Sequence, residues 1–283
     1  MAAALMPVRL EAISSQAAEE DLLPIKVVAH YSIAVDKSDL SRVAADYLLD
    51  EVQKAVAARG RARIALSGGS TPRELFARLA DRADRYYDAM PWSAVEIFWV
   101  DERCVAPTDP ESNFRMTRES LLDHLPISPN QVFRMEGELE PELAASRYES
   151  LLRNHFRLEG AEAPAFDVVM LGLGVDGHTA SIFPNTAAIY EFGRLVVANH
   201  VPQKNTWRIT LTWSVINQAR NVFFLIAGAD KAEPLRALVK GPYNPDLLPS
   251  QLIRPANRRL ALLCDRDAAQ LTLPESCGEI EIA

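Results

Sequence analysis

Arg63-Ile-Ala-Leu-Ser-Gly-Gly-Ser-Thr-Pro-Arg-Glu-Leu-Phe76 reads as a strand, a tight turn and the start of a helix. The apolar run ends at Leu66, and Ser67, Gly68, Gly69 and Ser70 form a turn of small residues. Thr71 suits the N-cap, Pro72 the first helical position, and Glu74 the far side of a capping box. Paired glycines let the backbone approach a ligand closely, and a helix N-terminus offers free N–H groups and partial positive charge. Gly68, Gly69 and Ser70 are therefore candidate phosphate contacts, although a plain strand-to-helix turn with a good cap would carry the same residues. The segment is not a nucleotide P-loop, because Gly-x4-Gly-Lys-Ser/Thr is absent.

The same alternation extends in both directions. Apolar runs at 25–29, 96–100, 167–171, 195–198, 209–211, 222–227 and 259–264 join 63–66 as candidate strands. Several are continuous Val/Ile/Leu/Phe runs, the pattern of strands buried on both faces. Helical periodicity is clearest over 39–59, where Leu40, Val43, Ala44, Tyr47, Leu48, Val52 and Ala55 share one face and Gly60 supplies a stop. Further helices are expected at 72–79, 113–122, 141–156, 213–218 and 231–239, with a Pro-rich loop at 241–249. Strands alternating with helices predict a three-layer α/β/α fold with a mostly parallel sheet covered on both faces. No linker or repeat divides the chain, so residues 25–283 are expected to form a single catalytic domain behind a flexible extension at 1–24.

Composition narrows the function. The 283 residues are 48% hydrophobic and 24% charged, with a formal charge of −8. An acidic chain is a poor general polyanion binder, so no nucleic-acid partner is expected, while a few local cations suffice for a small anionic substrate. Three cysteines without Cys-x-x-Cys spacing point to a reducing, cytoplasmic setting. No stretch reaches the ~18 apolar residues of a membrane span, and 1–24 lacks the pattern of a signal peptide. The expected state is a monomer or weak homodimer. No two histidines have metal-ligand spacing, so no metal site is expected.

Two further stretches carry candidate chemistry. In Phe166-Asp-Val-Val-Met-Leu-Gly-Leu-Gly-Val-Asp-Gly-His-Thr-Ala-Ser-Ile-Phe-Pro184, Gly172-x-Gly174-x-x-Gly177 matches a dinucleotide fingerprint in form. Pro184 arrives too early for the long helix that such a site needs. More informative are Asp176 and His178, just past the C-terminal end of a buried strand, where open α/β sheets bind ligands. A histidine oriented by a carboxylate is a candidate general base, and a histidine closing a turn is the plainer reading. Ile97-Phe-Trp-Val-Asp-Glu-Arg103 ends a hydrophobic strand in Asp101, Glu102 and Arg103. These charges make either a solvated rim or a site in which Arg103 holds an anion. Arg208 and Lys231, each at a strand end, are further candidate counter-charges.

Taken in order, the blocks resemble the 6-phosphogluconolactonase family. The resemblance rests on Ser67-Gly-Gly-Ser-Thr-Pro72, Trp99-Val-Asp-Glu-Arg103, Glu111-Ser-Asn113, Gly172-Leu-Gly-Val-Asp-Gly-His-Thr-Ala-Ser-Ile-Phe-Pro184, Arg208-Ile-Thr-Leu-Thr212 and Gly228-Ala-Asp-Lys-Ala232. It spans roughly residues 25–265. It implies hydrolysis of 6-phosphoglucono-1,5-lactone in the oxidative pentose phosphate pathway, with no required metal or organic cofactor. On that footing His178 is the base and Asp176 orients it. Gly68, Gly69, Ser70, Arg208 and Lys231 hold the phosphate. Arg103 stabilises an oxyanion or the product carboxylate, and Asp101 places hydroxyls or the arginine. The related glucosamine-6-phosphate deaminases typically have Asp-Gly-His-Ile-Ala-Phe-Asn-Glu-Pro in place of the block from Asp176 to Pro184, and Tyr in place of Arg103. Three other readings compete: such a deaminase or isomerase, a non-catalytic sugar-phosphate sensor, and a nicotinamide-dependent oxidoreductase.

Overall fold

The computed structural model describes residues 27–274 and 276–282. The extension expected at 1–24, and the first two residues of the strand expected at 25–29, lie outside the described residues. In chain order the elements are β1 (Val27–Ala34), α1 (Lys37–Arg59), β2 (Ala62–Leu66), α2 (Ser70–Ala80), α3 (Arg85–Ala89), β3 (Val95–Trp99), β4 (Asp101–Arg103), α4 (Asn113–Ser120), β5 (Val132–Phe133) and α5 (Pro141–Phe156). They continue with β6 (Val168–Leu171), β7 (Val196–Val201), β8 (Thr206–Leu211), α6 (Trp213–Asn217), β9 (Val222–Ile226), α7 (Ala232–Lys240), β10 (Leu260–Asp265), α8 (Arg266–Ala269) and β11 (Cys277–Ile282).

The main sheet has the order β11-β1-β10-β9-β6-β2-β3-β5. Every neighbouring pair is parallel except β1 with β11. Its strands lie between two apolar cores, and the pleat sends alternate residues into each. On β3, Ile97 and Trp99 join Leu48 and Val52 of α1 and Phe76 of α2. Phe98, between them, faces Tyr148 and Leu152 of α5. On β9, Phe223 and Leu225 enter the first core, and Val222, Phe224 and Ile226 the second. This two-sided burial explains the continuous apolar runs and gives the expected three-layer α/β/α fold.

Two candidate strands leave the main sheet. Residues 195–198 and 209–211 fall in β7 and β8, which form an antiparallel three-stranded sheet in the order β4-β8-β7. Val100 is the pivot between the sheets. Its N–H donates to Leu66 O at 3.0 Å, and its carbonyl accepts from Leu211 N at 2.8 Å. The chain thus changes sheets just before Asp101. The pairs Asp101–Thr210 and Arg103–Arg208 then set the small sheet over the C-terminal ends of β2, β3 and β6.

Helix boundaries follow local chemistry with one correction. α1 begins at the Asp36 cap, whose carboxylate accepts from Asp39 N at 2.8 Å, and ends at Gly60 with φ 74°. α2 does not begin at a Thr71 cap. It starts at Ser70, and the cap position is Gly69 at φ 113° with no side-chain cap hydrogen bond. The left-handed glycine turns the chain early, so the Thr71–Glu74 capping box does not form.

Candidate active site

The turn after β2 is built to stay open. Ser67, itself buried, donates its hydroxyl to Met170 O at 2.7 Å and ties β2 to β6. Gly68 faces the side-chain amide of Asn113, which occupies the place that a Cβ would take. Gly69 needs its positive φ, a region that L side chains avoid. The first turn of α2 therefore begins beside a floor of small residues, with no side-chain cap on its amides among the described residues.

Asp101 and Glu102 are not a solvated rim. They are 7% and 3% exposed. Asp101 Oδ2 accepts from Ser181 Oγ at 2.6 Å, and its Oδ1 and carbonyl accept from Asn113 Nδ2 at 3.3 and 2.9 Å. Arg103 donates to the Glu111 carbonyl and sits opposite Arg208 in the β4–β8 ladder. Like charges directly opposed on a ladder are unfavourable. Arg208 is 8% exposed, and its Nη1 is buried without a hydrogen-bond partner among the described residues. Burial first, and then the Arg103 charge, pull the Arg208 guanidinium below its usual range, with partial compensation from Asp101 and Glu111.

The third wall is the loop after β6. Gly174 N donates to His178 O at 2.8 Å, and Gly177 N returns to Gly174 O at 3.0 Å. This tight turn brings His178 Nδ1 onto Asp176 Oδ1. The imidazole stacks on Phe183, with centroids 4.0 Å apart and planes at 18°. Gly174 has no room for a side chain, because a Cβ there would fall on the His178 ring. Burial alone would raise the Asp176 carboxyl, but the hydrogen bond and charge of His178 outweigh it and hold the carboxyl below its ordinary value. Asp176 is thus an acceptor, Nδ1 donates, and Nε2 carries the free lone pair. No described residue hydrogen-bonds to that Nε2.

These walls enclose one polar cavity of about 510 Å³. Of the residues singled out in the sequence, Gly68, Gly69, Ser70, Asp101, Arg103, His178, Arg208 and Lys231 all line it. Asp176 stands behind His178 and does not. The sequence reading missed Asn113, Ser181, Lys204 and Thr206, which also line the cavity. Thr206 was legible in part, since it lies two residues from Arg208 on β8 and so shares its face. Lys204 is exposed and has no ion-pair partner among the described residues, whereas Lys231 pairs with Asp230 at 3.1 Å. Four cations, Arg103, Lys204, Arg208 and Lys231, thus face two lining carboxylates, Asp101 and Glu111, in a chain of net charge −8.

The family model described as glucosamine-6-phosphate isomerases/6-phosphogluconolactonase matches residues 35–262. The chain belongs to this family. Its relatives include the 6-phosphogluconolactonase of Synechocystis sp., 37% identical over 243 residues, covering 86% of this chain and 98% of that one. The crystal structure of 6-phosphogluconolactonase from Leishmania guyanensis superposes with a TM-score of 0.76 at 28% identity, over 87% of this chain and 99% of that one. A monomeric glucosamine-6-phosphate deaminase, 22% identical with a TM-score of 0.70 over 85% of this chain and 99% of that one, shares the fold.

Proposed function

We propose that this family member is a 6-phosphogluconolactonase. It hydrolyses 6-phospho-D-glucono-1,5-lactone to 6-phospho-D-gluconate, a step of the oxidative pentose phosphate pathway. One observation carries the reading: a carboxylate-oriented histidine and a cluster of cations line the same cavity as the open turn after β2. A phosphorylated sugar needs both, an anchor for its anion and a base at its other end.

The phosphate sits on Gly68, Gly69 and Ser70, with Arg208 and Lys231 as counter-charges. Anchoring that end positions the lactone carbonyl. His178 Nε2 takes a proton from water as its oxygen bonds to the carbonyl carbon. Arg103 faces the charge that develops on the carbonyl oxygen and then on the product carboxylate. When the ring C–O bond breaks, the departing oxygen takes the proton back from His178. Asp176 holds the imidazole in the tautomer that this requires and stabilises its charged form. Asp101, fixed by Ser181 and Asn113, places the sugar hydroxyls.

Covalent catalysis has no good candidate among the serines and cysteine nearby. The Ser67 hydroxyl is engaged as a hydrogen-bond donor to Met170 O, and the Ser181 hydroxyl holds Asp101 Oδ2. Burial pushes the Cys104 thiol up to about 11, so it is not a thiolate at neutral pH.

The test follows acid release from freshly generated lactone against the spontaneous rate, with and without EDTA. Acceleration that survives EDTA is the expected result. No acceleration by folded protein, or ammonia release from glucosamine 6-phosphate in its place, would overturn the assignment. A second expected result concerns the turn after β2. Gly68→Ala must displace the Asn113 amide, and a shift of about 1 Å in a positioned site costs on the order of 10²-fold. Steady-state kcat/KM on the lactone reads this loss.

A further inference from the structure

Glu102 is the most buried charge at the cavity, yet it does not line it. Its Oε1 accepts from Arg103 N and Asn113 N, both at 2.7 Å. Its Oε2 accepts from Phe114 N at 2.8 Å and Ser112 Oγ at 3.0 Å. Four donors meet two oxygens, and no cation pairs with the group among the described residues. The ionised carboxylate satisfies all four donors at once. Burial, with a further push from the Asp101 charge, leaves the carboxyl above its ordinary value, although the amides of Phe114, Asn113 and Arg103 pull it back in part.

We propose that Glu102 is a positioning residue that sets the pose of Arg103 through the turn at residues 111–114. The carboxylate fixes the Arg103 backbone on one side and the start of α4 on the other. The carbonyl of Glu111, one residue before Ser112, then receives the Arg103 guanidinium. Gly137 closes the back. A Cβ there would come 3.3 Å from Glu102 Cγ and would also press on the Arg103 carbonyl. Charge-assisted hydrogen bonds from two chain segments to one buried group make a clamp that neither segment supplies alone. It acts through Arg103, and no atom of Glu102 needs to touch substrate.

This inference rests on the lactonase reading, so wild-type turnover is measured alongside. Glu102→Gln keeps the size but aims an amide N–H at donors. Its kcat/KM on the lactone is expected to fall roughly 10- to 100-fold at a temperature well below its Tm. In an Arg103→Ala background the same change is expected to cost less than about 3-fold, since the group it positions is gone. A full repeat of the loss in that background, or a lowered Tm with unchanged kinetics, would overturn the proposal. If Glu102→Gln does not fold, Ser112→Ala removes one donor to the carboxylate, together with the α4 cap on Arg115 N. A loss of about 3-fold or more in wild type, shrinking in Arg103→Ala, supports the clamp, and an unchanged kcat/KM refutes it. If wild type does not turn over the lactone, the lactonase reading fails on its own. The clamp is then judged by calorimetric affinity for 6-phosphogluconate, which Glu102→Gln must weaken.

Discussion

Replacing His178 with alanine lowers kcat on the lactone by about 10²- to 10⁴-fold, the range for a positioned general base. KM is expected to change little, because the imidazole packs on Phe183 and the cations proposed to anchor the phosphate are untouched. The alanine variant keeps its fold, since the turn is closed by backbone bonds from Gly174 and Gly177 and not by the ring. Asp176→Asn is expected to give a loss of the same kind. The amide can present an N–H to Nδ1, which stabilises the tautomer with its proton on Nε2, and it cannot stabilise the charged ring. Because Asp176 is held below its ordinary value, it stays an ionised acceptor at neutral pH. A His178→Ala rate equal to wild type, after subtraction of spontaneous hydrolysis, would remove His178 from the mechanism.

What the sequence revealed and what it hid divide along the range of the interactions. The turn at 67–70 and the loop at 172–184 are local: glycines, a proline and the short Asp176–His178 spacing determine their geometry, so their place at the strand ends could be read directly. Sheet membership is not local. β7 and β8 look like any other apolar run, and only pairing with β4 removes them from the main sheet. The charges of Asp101 and Glu102 were equally consistent with a rim. Their burial depends on Ser181, 80 residues away, and on the start of α4. The Thr71 cap failed for a related reason. Cap statistics assume an ordinary extended residue before the helix, and Gly69 at positive φ allows an earlier start.

Arg208 carries the second large effect, and the effect has two signs. Arg208→Met lowers kcat/KM on the lactone by about 10²- to 10³-fold, because truncating one side of a buried charge pair costs on the order of 2–5 kcal/mol. Much of this appears in KM, and part appears in kcat if anchoring energy orients the carbonyl. In the anion-free protein the same change is stabilising. A cation whose pKa falls on folding is charged at a cost at every pH below that value, which includes the whole neutral range. Nη1 is buried without an acceptor among the described residues, and Arg103 stands opposite on the ladder. An apolar side chain of similar length removes the burial cost and the repulsion together. Each kcal/mol recovered raises Tm by roughly 2–4 °C in a chain of this size. Calorimetry in a buffer free of phosphate and sulfate is thus expected to rank Arg208→Met above wild type. Added 6-phosphogluconate reverses the ranking, since ligand at about 100 times Kd stabilises wild type by ~2.7 kcal/mol and the variant hardly at all. A variant less stable than wild type without anion would show that Arg208 is held for the fold. An unchanged kcat/KM would move the phosphate to Lys204 and Lys231.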